Sequence, residues 1–253
     1  METNRIQLLA QKADRPYDLI LIRHAESARN RAKKGSVYFA DEYARRDIAG
    51  IPDHLIDITP EGRKRAEVTG VGLRQFYGVP DYLYHSGYKR TVETANGIIA
   101  AYTDEERARI KIRANIFIRE RDAGHAYDMT EKEAEGNFPY LKEYWKTFGG
   151  FFAVPPGGES LAQMAERVYL FLNKIFRDRA GQKVFVVTHG GTIRLFRYLL
   201  ERWTYEKALK WPDGQSPKNC GMTVYRFSET EKRLKLVEYN RVFNESLVKE
   251  ELV

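Results

Sequence analysis

The fold of this chain is decided by the stretch YDLILIRH at residues 17–24 and by its counterpart KVFVVTHGG at residues 183–191. Each is an uninterrupted apolar run, which is typical of a strand covered on both faces in a parallel sheet. Each run ends in a histidine, His24 or His189, followed by small or polar residues. Ligands of parallel sheets bind at the carboxyl ends of the strands. The two runs therefore predict one site with two imidazoles and Arg23, which suits an anion.

The composition is that of an ordinary globular chain, with 253 residues, 43% hydrophobic and 30% charged. Lysine and arginine outnumber aspartate and glutamate by 42 to 35, a net charge of +7. This excess favours anionic partners without choosing between phosphate esters, nucleic acid and a membrane surface. No apolar run approaches the roughly 20 residues that span a bilayer, and residues 1–15 lack the apolar core of a signal peptide. We therefore expect a cytoplasmic protein with no membrane contact.

Strand-like and helix-like patterns alternate along the chain, which predicts an α/β fold. The predicted helices cover 60–77, 88–102 and 192–203, and the predicted strands cover 82–84, 110–118, 222–227 and 234–239. Thr59 is the expected N-cap of the first helix, with Pro60 at its first position. Three pairs have capping-box spacing: Thr103 with Glu106, Thr130 with Glu133, and Ser160 with Gln163. We interpret residues 1–253 as one domain in which residues 121–158, rich in aromatic side chains, form an inserted cap.

Two more charged residues follow predicted strands. Arg90 lies at a strand-to-helix junction, and Glu120 follows the predicted strand over 110–118. A carboxylate at a strand end is suited to general acid and base work. Taken alone, Arg90 is better interpreted as a solvated arginine, and Glu120 as part of a surface ion pair with Arg119 or Arg121. Together with the two histidines, they place four chemically useful side chains at one predicted edge of the sheet.

The ordered set of motifs resembles the histidine phosphatase superfamily, the phosphoglycerate-mutase-like proteins. The matching pieces are LIRHAES at 21–27 with Asn30, ITPEG at 58–62, residues 86–95, RER at 119–121 with Gly124, GES at 158–160, and THGG at 188–191. The resemblance runs from about residue 18 to 227. It implies a three-layer α/β/α sandwich around a mostly parallel sheet. The Arg-His pair alone is a weak motif, whereas the ordered set is specific.

The resemblance also implies roles for individual residues. His24 is the expected nucleophile that becomes phosphorylated, and Glu120 the expected general acid and base. Arg23, Asn30, Arg90, His189 and the backbone N–H of Gly190 are expected to hold the phosphoryl group. No metal and no cofactor is expected, because two arginines and a histidine can neutralise the transferred group. The expected partner is a small phosphorylated substrate, and no nucleic acid is expected.

The chain departs from the mutase members of the family. It lacks their Phe-Thr-Gly-Trp type segment, and the cap carries aromatic residues where mutases have an arginine pair for the carboxylate. The stretch from Gly149 to Ser160 looks more like the broad-specificity phosphatase branch. We therefore expect a phosphomonoesterase, with a mutase or a catalytically weak scaffold as the alternatives. The oligomeric state stays open, with a homodimer among the options.

Several other residues admit functional readings. Cys220 and Arg226 have the spacing of a cysteine-dependent phosphatase loop, but the residues between them have strand composition. His125 and Arg121 in the cap are candidates for substrate contact or for solvated surface. The basic run at 29–34 fits a solvated loop or a phosphate entrance better than a nucleic-acid surface. His54 and His85 are expected to be structural or exposed.

Overall fold

The computed structural model describes residues 13–33, 38–210 and 216–244. One six-stranded sheet lies at the centre, in the order β3-β2-β4-β1-β5-β6. The strands are β1 (Asp18–Arg23), β2 (Tyr82–His85), β3 (Lys111–Ala114), β4 (Lys183–Thr188), β5 (Met222–Ser228) and β6 (Arg233–Arg241). β1, β2, β3 and β4 run parallel, and β5 and β6 form an antiparallel hairpin at one edge. The late strand pair predicted from the sequence is this hairpin.

Helices occupy most of the remaining described chain. They are α1 (Ala28–Lys33), α2 (Glu42–Arg45), α3 (Pro60–Tyr77), α4 (Lys89–Ala100), α5 (Asp104–Arg109), α6 (Glu131–Asn137), α7 (Leu141–Phe148), α8 (Leu161–Asp178), α9 (Gly190–Leu200) and α10 (Tyr205–Leu209). Short 3-10 turns are formed by Asp53–Leu55, Ile116–Ile118 and His125–Asp128. The predicted helix over 60–77 is confirmed, as are all three capping boxes. The basic run at 29–34 is largely helix α1, and its last residue, Lys34, lies outside the described residues.

The sheet is covered by helices on both faces, because alternate strand residues point in opposite directions. Leu19 and Leu21 of β1 pack into one apolar cluster with residues of α8 and α9. Ile20 and Ile22 pack into a second cluster with residues of α3 and α4. All four side chains are fully buried. The fold is thus the three-layer α/β/α sandwich that the resemblance implied.

Two predicted elements differ from the structure at residues that matter for the site. The strand predicted over 110–118 stops at Ala114, because the Asn115 side chain accepts a hydrogen bond from the backbone N–H of Phe117 and starts a 3-10 turn. Glu120 therefore follows a turn and not a strand end. The helix predicted to start at Thr192 begins two residues earlier, at Gly190. The two glycines are its first turn, directly after β4.

The two ends of segment 121–158 meet at hydrogen-bonded backbone, which we call the neck. The backbone N–H of His125 donates to Pro156 at 2.9 Å, and that of Glu159 donates to Asp122 at 2.9 Å. Gly124 has a φ of 74°, and a Cβ on it would lie 2.2 Å from the Pro156 carbonyl oxygen. This position therefore requires glycine on both counts. Within the described ranges, no helix is long and apolar enough to cross a membrane.

Candidate active site

The two histidines predicted from the sequence lie side by side at the carboxyl ends of adjacent strands. β1 pairs with β4 in parallel, with Arg23 opposite Thr188, so the next residue of each strand reaches the same edge. The ring centroids of His24 and His189 are 5.2 Å apart, with an edge-to-face tilt of 62°. His24 is 3% exposed and His189 is fully buried. The expected convergence of two imidazoles is thus observed.

The hydrogen bonds of His24 determine which of its nitrogens carries the proton. Its Nδ1 lies 2.7 Å from the carbonyl oxygen of Ala25, which can only accept, so Nδ1 carries the hydrogen. Nε2 then keeps its lone pair in the neutral ring. Burial, followed by the charges of Arg90 and Arg23, holds the pKa of His24 well below its usual value. His24 is therefore neutral at physiological pH and nucleophilic at Nε2.

His189 uses the opposite nitrogen, Nε2, for its hydrogen bond. Its Nε2 lies 2.8 Å from the hydroxyl of Ser86, at the end of β2, while its Nδ1 is buried without a hydrogen-bond partner. Burial, followed by the charges of Arg90 and His24, holds the pKa of His189 well below its usual value. His189 is also the N-cap residue of α9, although its side chain does not cap the helix. The positive end of the α9 dipole therefore starts at Gly190, beside the histidine pair.

Arg23 completes this edge of the site from the last position of β1. Its Nη1 donates to the Pro217 carbonyl at 2.6 Å, and its Nε is buried without a partner. A Cβ placed on Gly190 would lie 3.5 Å from that Nε, so the guanidinium faces the start of α9. Burial lowers the pKa of Arg23, but an arginine stays charged under any ordinary condition. A buried cation with an unpaired N–H is suited to binding an anion.

Arg90 is present at the start of α4, but it is bound to a carboxylate that the sequence did not indicate. Its Nη1 lies 2.6 Å from the Asp53 backbone oxygen, and its Nη2 lies 3.0 Å from the carboxylate Oδ2. Asp53 also lies 3.2 Å from Nε of Arg29, which pairs with Asp128 at 3.0 Å. Arg90, Asp53, Arg29 and Asp128 thus form a row of alternating charges. The row ends at Asp128, within segment 121–158.

Glu120 is positioned by its backbone and by a buried arginine. Arg167 of α8 donates to the carbonyls of Phe117 (2.7 Å), Arg119 (2.8 Å) and Glu120 (3.1 Å). The same guanidinium pairs with Glu159 at 2.6 Å, and both side chains are almost fully buried. A Cβ on Gly191 would lie 2.5 Å from Glu120 Oε1, so Gly191 leaves room for this carboxylate next to the helix start. Glu120 therefore reaches the same edge as the histidines.

Asn30 is fixed by a second asparagine that sequence reasoning missed. Its Oδ1 accepts from the Ser27 backbone N–H at 3.2 Å and from Nδ2 of Asn219 at 3.2 Å. Asn219 also donates to the carbonyl oxygen of His24 at 2.9 Å. With its oxygen occupied, Asn30 has only N–H groups left to offer a ligand. No spacing in the sequence links Asn219 to the first motif, because it arrives in the loop before β5.

The remaining predicted candidates are placed less centrally. Cys220 is buried, and burial raises the pKa of its thiol to about 11, which is unlike a reactive cysteine. His85 sits at the end of β2 and accepts from the Gly87 N–H, while Arg121 donates to the Glu159 carbonyl. Within segment 121–158, Phe151 packs into the core of the sandwich. Exposed aromatic side chains of the same segment are Tyr140, Phe148 and Phe152.

The positions of His125 and His54 and the possible metal ligands complete the comparison with the predicted candidates. His125 opens the 3-10 turn at the neck of segment 121–158, and His54 lies beside the Tyr88 ring, with centroids 6.3 Å apart. Among the described residues, no three His, Cys, Asp or Glu side chains are grouped so that they could hold a metal ion.

The fold and this site define an α/β protein in which two buried histidines lie side by side at the carboxyl ends of parallel strands, near the charges of Arg23 and Arg90. The sequence profile described as "histidine phosphatase superfamily (branch 1)" matches residues 19–240. The chain therefore belongs to the histidine phosphatase superfamily, as the ordered motifs implied.

Individual relatives include a mutase-like protein and phosphatases. A phosphoglycerate mutase-like protein of Arabidopsis thaliana is 30% identical to this chain, and the alignment covers 78% of this chain and 70% of the relative. A broad-range acid phosphatase of Saccharomyces cerevisiae is 24% identical, over 76% of this chain and 81% of its own. Among solved structures, the alpha-ribazole phosphatase of Shigella flexneri superimposes with a TM-score of 0.68 at 17% identity, covering 88% of this chain and 96% of its own. The last likeness supports the fold alone.

Proposed function

We propose that this protein is a phosphatase that hydrolyses small phosphate monoesters through a phosphohistidine on His24. The observation that carries the proposal is the state of His24, whose Nδ1–H is bound to the Ala25 carbonyl while neutral Nε2 remains free. The His24 ring lies 5.2 Å from the His189 ring, and the charges of Arg90 and Arg23 act on it. A neutral nucleophile in a cationic pocket is what transfer of an anionic phosphoryl group requires.

The reaction proceeds in two displacements. In the first, the Nε2 lone pair of His24 attacks phosphorus, the P–O bond to the leaving group breaks, and Glu120 protonates the leaving oxygen. In the second, the Glu120 carboxylate takes a proton from water, whose oxygen attacks phosphorus and breaks the P–N bond. Arg23, Arg90, Asn30 and the N–H of Gly190 stabilise the charge on the phosphoryl oxygens. In both displacements, these protein groups neutralise the charge on the phosphoryl oxygens.

Phosphoryl transfer of the mutase type is the second candidate, because the Arabidopsis relative is named mutase-like. The two functions differ in what accepts the phosphoryl group from His24, water or a second substrate. The cap segment 121–158 carries the aromatic stretch where mutase members have an arginine pair, which supports the hydrolase. We propose that this segment acts as a cap inserted into a single domain. Its two ends meet at the neck, as an insertion into one fold requires.

The test is to trap the intermediate. Wild-type protein with a chelator present is mixed with a phosphate ester labelled in the phosphoryl group and quenched within milliseconds. We expect protein-bound label that is labile to acid and stable to alkali, as well as steady release of inorganic phosphate. His24→Ala should carry no label and lose about 10³-fold or more in turnover.

The matched control is His85→Ala, which removes a histidine at a neighbouring strand end and should keep both the label and the turnover. A panel of esters that includes phosphoglycerates, with glycerate as acceptor, separates the hydrolase from the mutase. Unchanged turnover in His24→Ala would contradict the proposal.

A further inference from the structure

A chain of buried hydroxyl groups leads from α4 to the second histidine. Thr91 Oγ1 lies 2.8 Å from the Tyr88 carbonyl oxygen and 2.9 Å from Ser86 Oγ, which in turn lies 2.8 Å from Nε2 of His189. Ser86 Oγ also accepts from the backbone N–H of Tyr88 at 3.3 Å. Thr91 is fully buried and Ser86 is 3% exposed, so water does not compete for these contacts.

The direction of each hydrogen bond follows from the carbonyl at the end of the chain. A carbonyl oxygen only accepts, so the Thr91 hydroxyl hydrogen points to Tyr88. Thr91 Oγ1 must then accept from Ser86, whose single hydrogen is used in that bond. Ser86 Oγ can therefore only accept from Nε2 of His189. If Thr91 donated to Ser86 instead, Thr91 Oγ1 and the Tyr88 carbonyl oxygen would face each other at 2.8 Å with no hydrogen between them.

This arrangement fixes the tautomer of neutral His189 as Nε2–H. The other ring nitrogen, Nδ1, then carries only a lone pair, and it is buried without a hydrogen-bond partner. A phosphoryl oxygen is also an acceptor, so it gains no hydrogen bond from a bare Nδ1. The two can bond only if a proton lies between them.

We propose that Ser86 and Thr91 are positioning residues that hold His189 as the Nε2–H tautomer, so that anion binding is coupled to uptake of one proton at Nδ1. The second half of this inference rests on the proposed function, because it takes the phosphoryl group to bind beside Nδ1. The substrate form that the site accepts is then a phosphate monoester together with one proton, equivalent to its monoanion.

The surroundings of His189 are consistent with a proton that arrives only with an anion. His24 and Arg23 face it from the end of β1, Arg90 and Tyr88 from the start of α4, and Arg167 from α8. Glu120 reaches the first turn of α9. While no anion is bound, the three arginines disfavour a positive charge on the His189 imidazole. A bound dianion reverses that balance, because it lies against the cations and against Nδ1.

The tautomer is measured directly by NMR of protein labelled with ¹⁵N-histidine, in which the imidazole shifts distinguish a protonated nitrogen from a bare one. The chain has five histidines, and His189→Gln assigns the one in question. We expect a bare Nδ1 and a protonated Nε2 for the anion-free protein near neutral pH. A protonated Nδ1 in that state would overturn the inference without touching the proposed reaction.

A matched pair of variants tests the role of the hydroxyl chain. Thr91→Val removes the acceptor for Ser86, whose hydrogen then turns to Nε2 of His189 and moves the ring proton to Nδ1. Thr91→Ser keeps the hydroxyl and should keep the wild-type tautomer. Identical histidine spectra for the two variants would overturn the assignment of Ser86 and Thr91 as positioning residues.

Proton uptake is tested with inorganic sulfate, a tetrahedral dianion that does not titrate near neutral pH. Its inhibition constant in wild type and Thr91→Ser should rise about tenfold per pH unit between about pH 7 and 8.5. Thr91→Val should show a much flatter slope, because its Nδ1 already carries hydrogen. Burial, followed by the charge of Arg29, lowers the pKa of Lys33 to about 7, so this side chain also loses charge in the range. The comparison between variants cancels that contribution.

Sulfate also separates this inference from the proposed reaction. Sulfate that leaves Nδ1 of His189 bare while shifting the His24 resonances would overturn proton uptake and leave the phosphatase proposal standing. Sulfate that shifts neither histidine would overturn the pocket itself, and proton uptake with it.

Discussion

The floor and the roof of the site are built in different ways. The floor consists of Arg23, His24, Ser86, His189 and Gly190, and the roof of Arg29, Lys33, Asp53, Tyr127 and Asp128. Every floor residue lies within two positions of the end of a parallel strand. The roof residues come from helix α1 and two 3-10 turns, and they meet through ion pairs and through Lys33 over the Tyr127 ring at 3.7 Å. Backbone pairing determines the floor, whereas long side chains determine the roof.

The first prediction concerns the anchoring of Glu120, which lies next to the floor. Arg167→Met removes the guanidinium that holds three carbonyls around Glu120 and leaves the buried Glu159 with only Arg119, at 3.6 Å, as an ion-pair partner. We expect a loss of about 3–5 kcal/mol in the free energy of unfolding, because a buried charge loses its closest partner. Urea denaturation measures it. The double variant with Glu159→Gln should recover part of the stability but not the turnover. Full recovery of turnover would show that Arg167 does not position Glu120.

The second prediction uses two adjacent glycines of α9 as a matched pair. Gly191→Ala places a methyl group 2.5 Å from Glu120 Oε1, whereas Gly190→Ala meets Arg23 at an ordinary 3.5 Å. Displacing a catalytic group by an ångström can cost on the order of 100-fold, so we expect kcat to fall by about that factor in Gly191→Ala. Gly190→Ala should change kcat little. Equal effects on kcat in both variants would mean that turnover does not depend on the position of the Glu120 carboxylate.

The third prediction concerns the roof and is smaller. Asp53→Asn removes the negative charge that faces Arg90 and Arg29. We expect inorganic phosphate to inhibit roughly fivefold more strongly, about 1 kcal/mol, since a partly exposed ion pair contributes little and Arg90 gains freedom to bind an anion. Asp128→Asn, which faces Arg29 alone, should shift the inhibition constant less. Weaker inhibition in Asp53→Asn would mean that the roof holds Arg90 in place.

The difference between the floor and the roof also explains which site residues could be predicted from the sequence. His24 and His189 end apolar runs, and the alternation of Leu19 to Ile22 between two cores makes those runs recognisable as buried strands. Their convergence follows from parallel pairing alone. Asp53 lies in a polar stretch with no periodicity, and its contact with Arg90 depends on a 3-10 turn that no local pattern marks. Glu120 lies between these two cases. Its carboxylate reaches the start of α9, but the strand that was expected to carry it ends early, at Ala114.

The strand order has a consequence for synthesis on the ribosome. β4 is inserted between β1 and β2, so these two early strands have no direct contact in the finished sheet. A nascent chain that has emerged only as far as β3 therefore exposes two apolar strands whose common neighbour has not been translated. Such unpaired edges are prone to aggregation, and distant strand pairing is slow. Protection by chaperones should matter most during this interval, and His24 and His189 come together only when it ends.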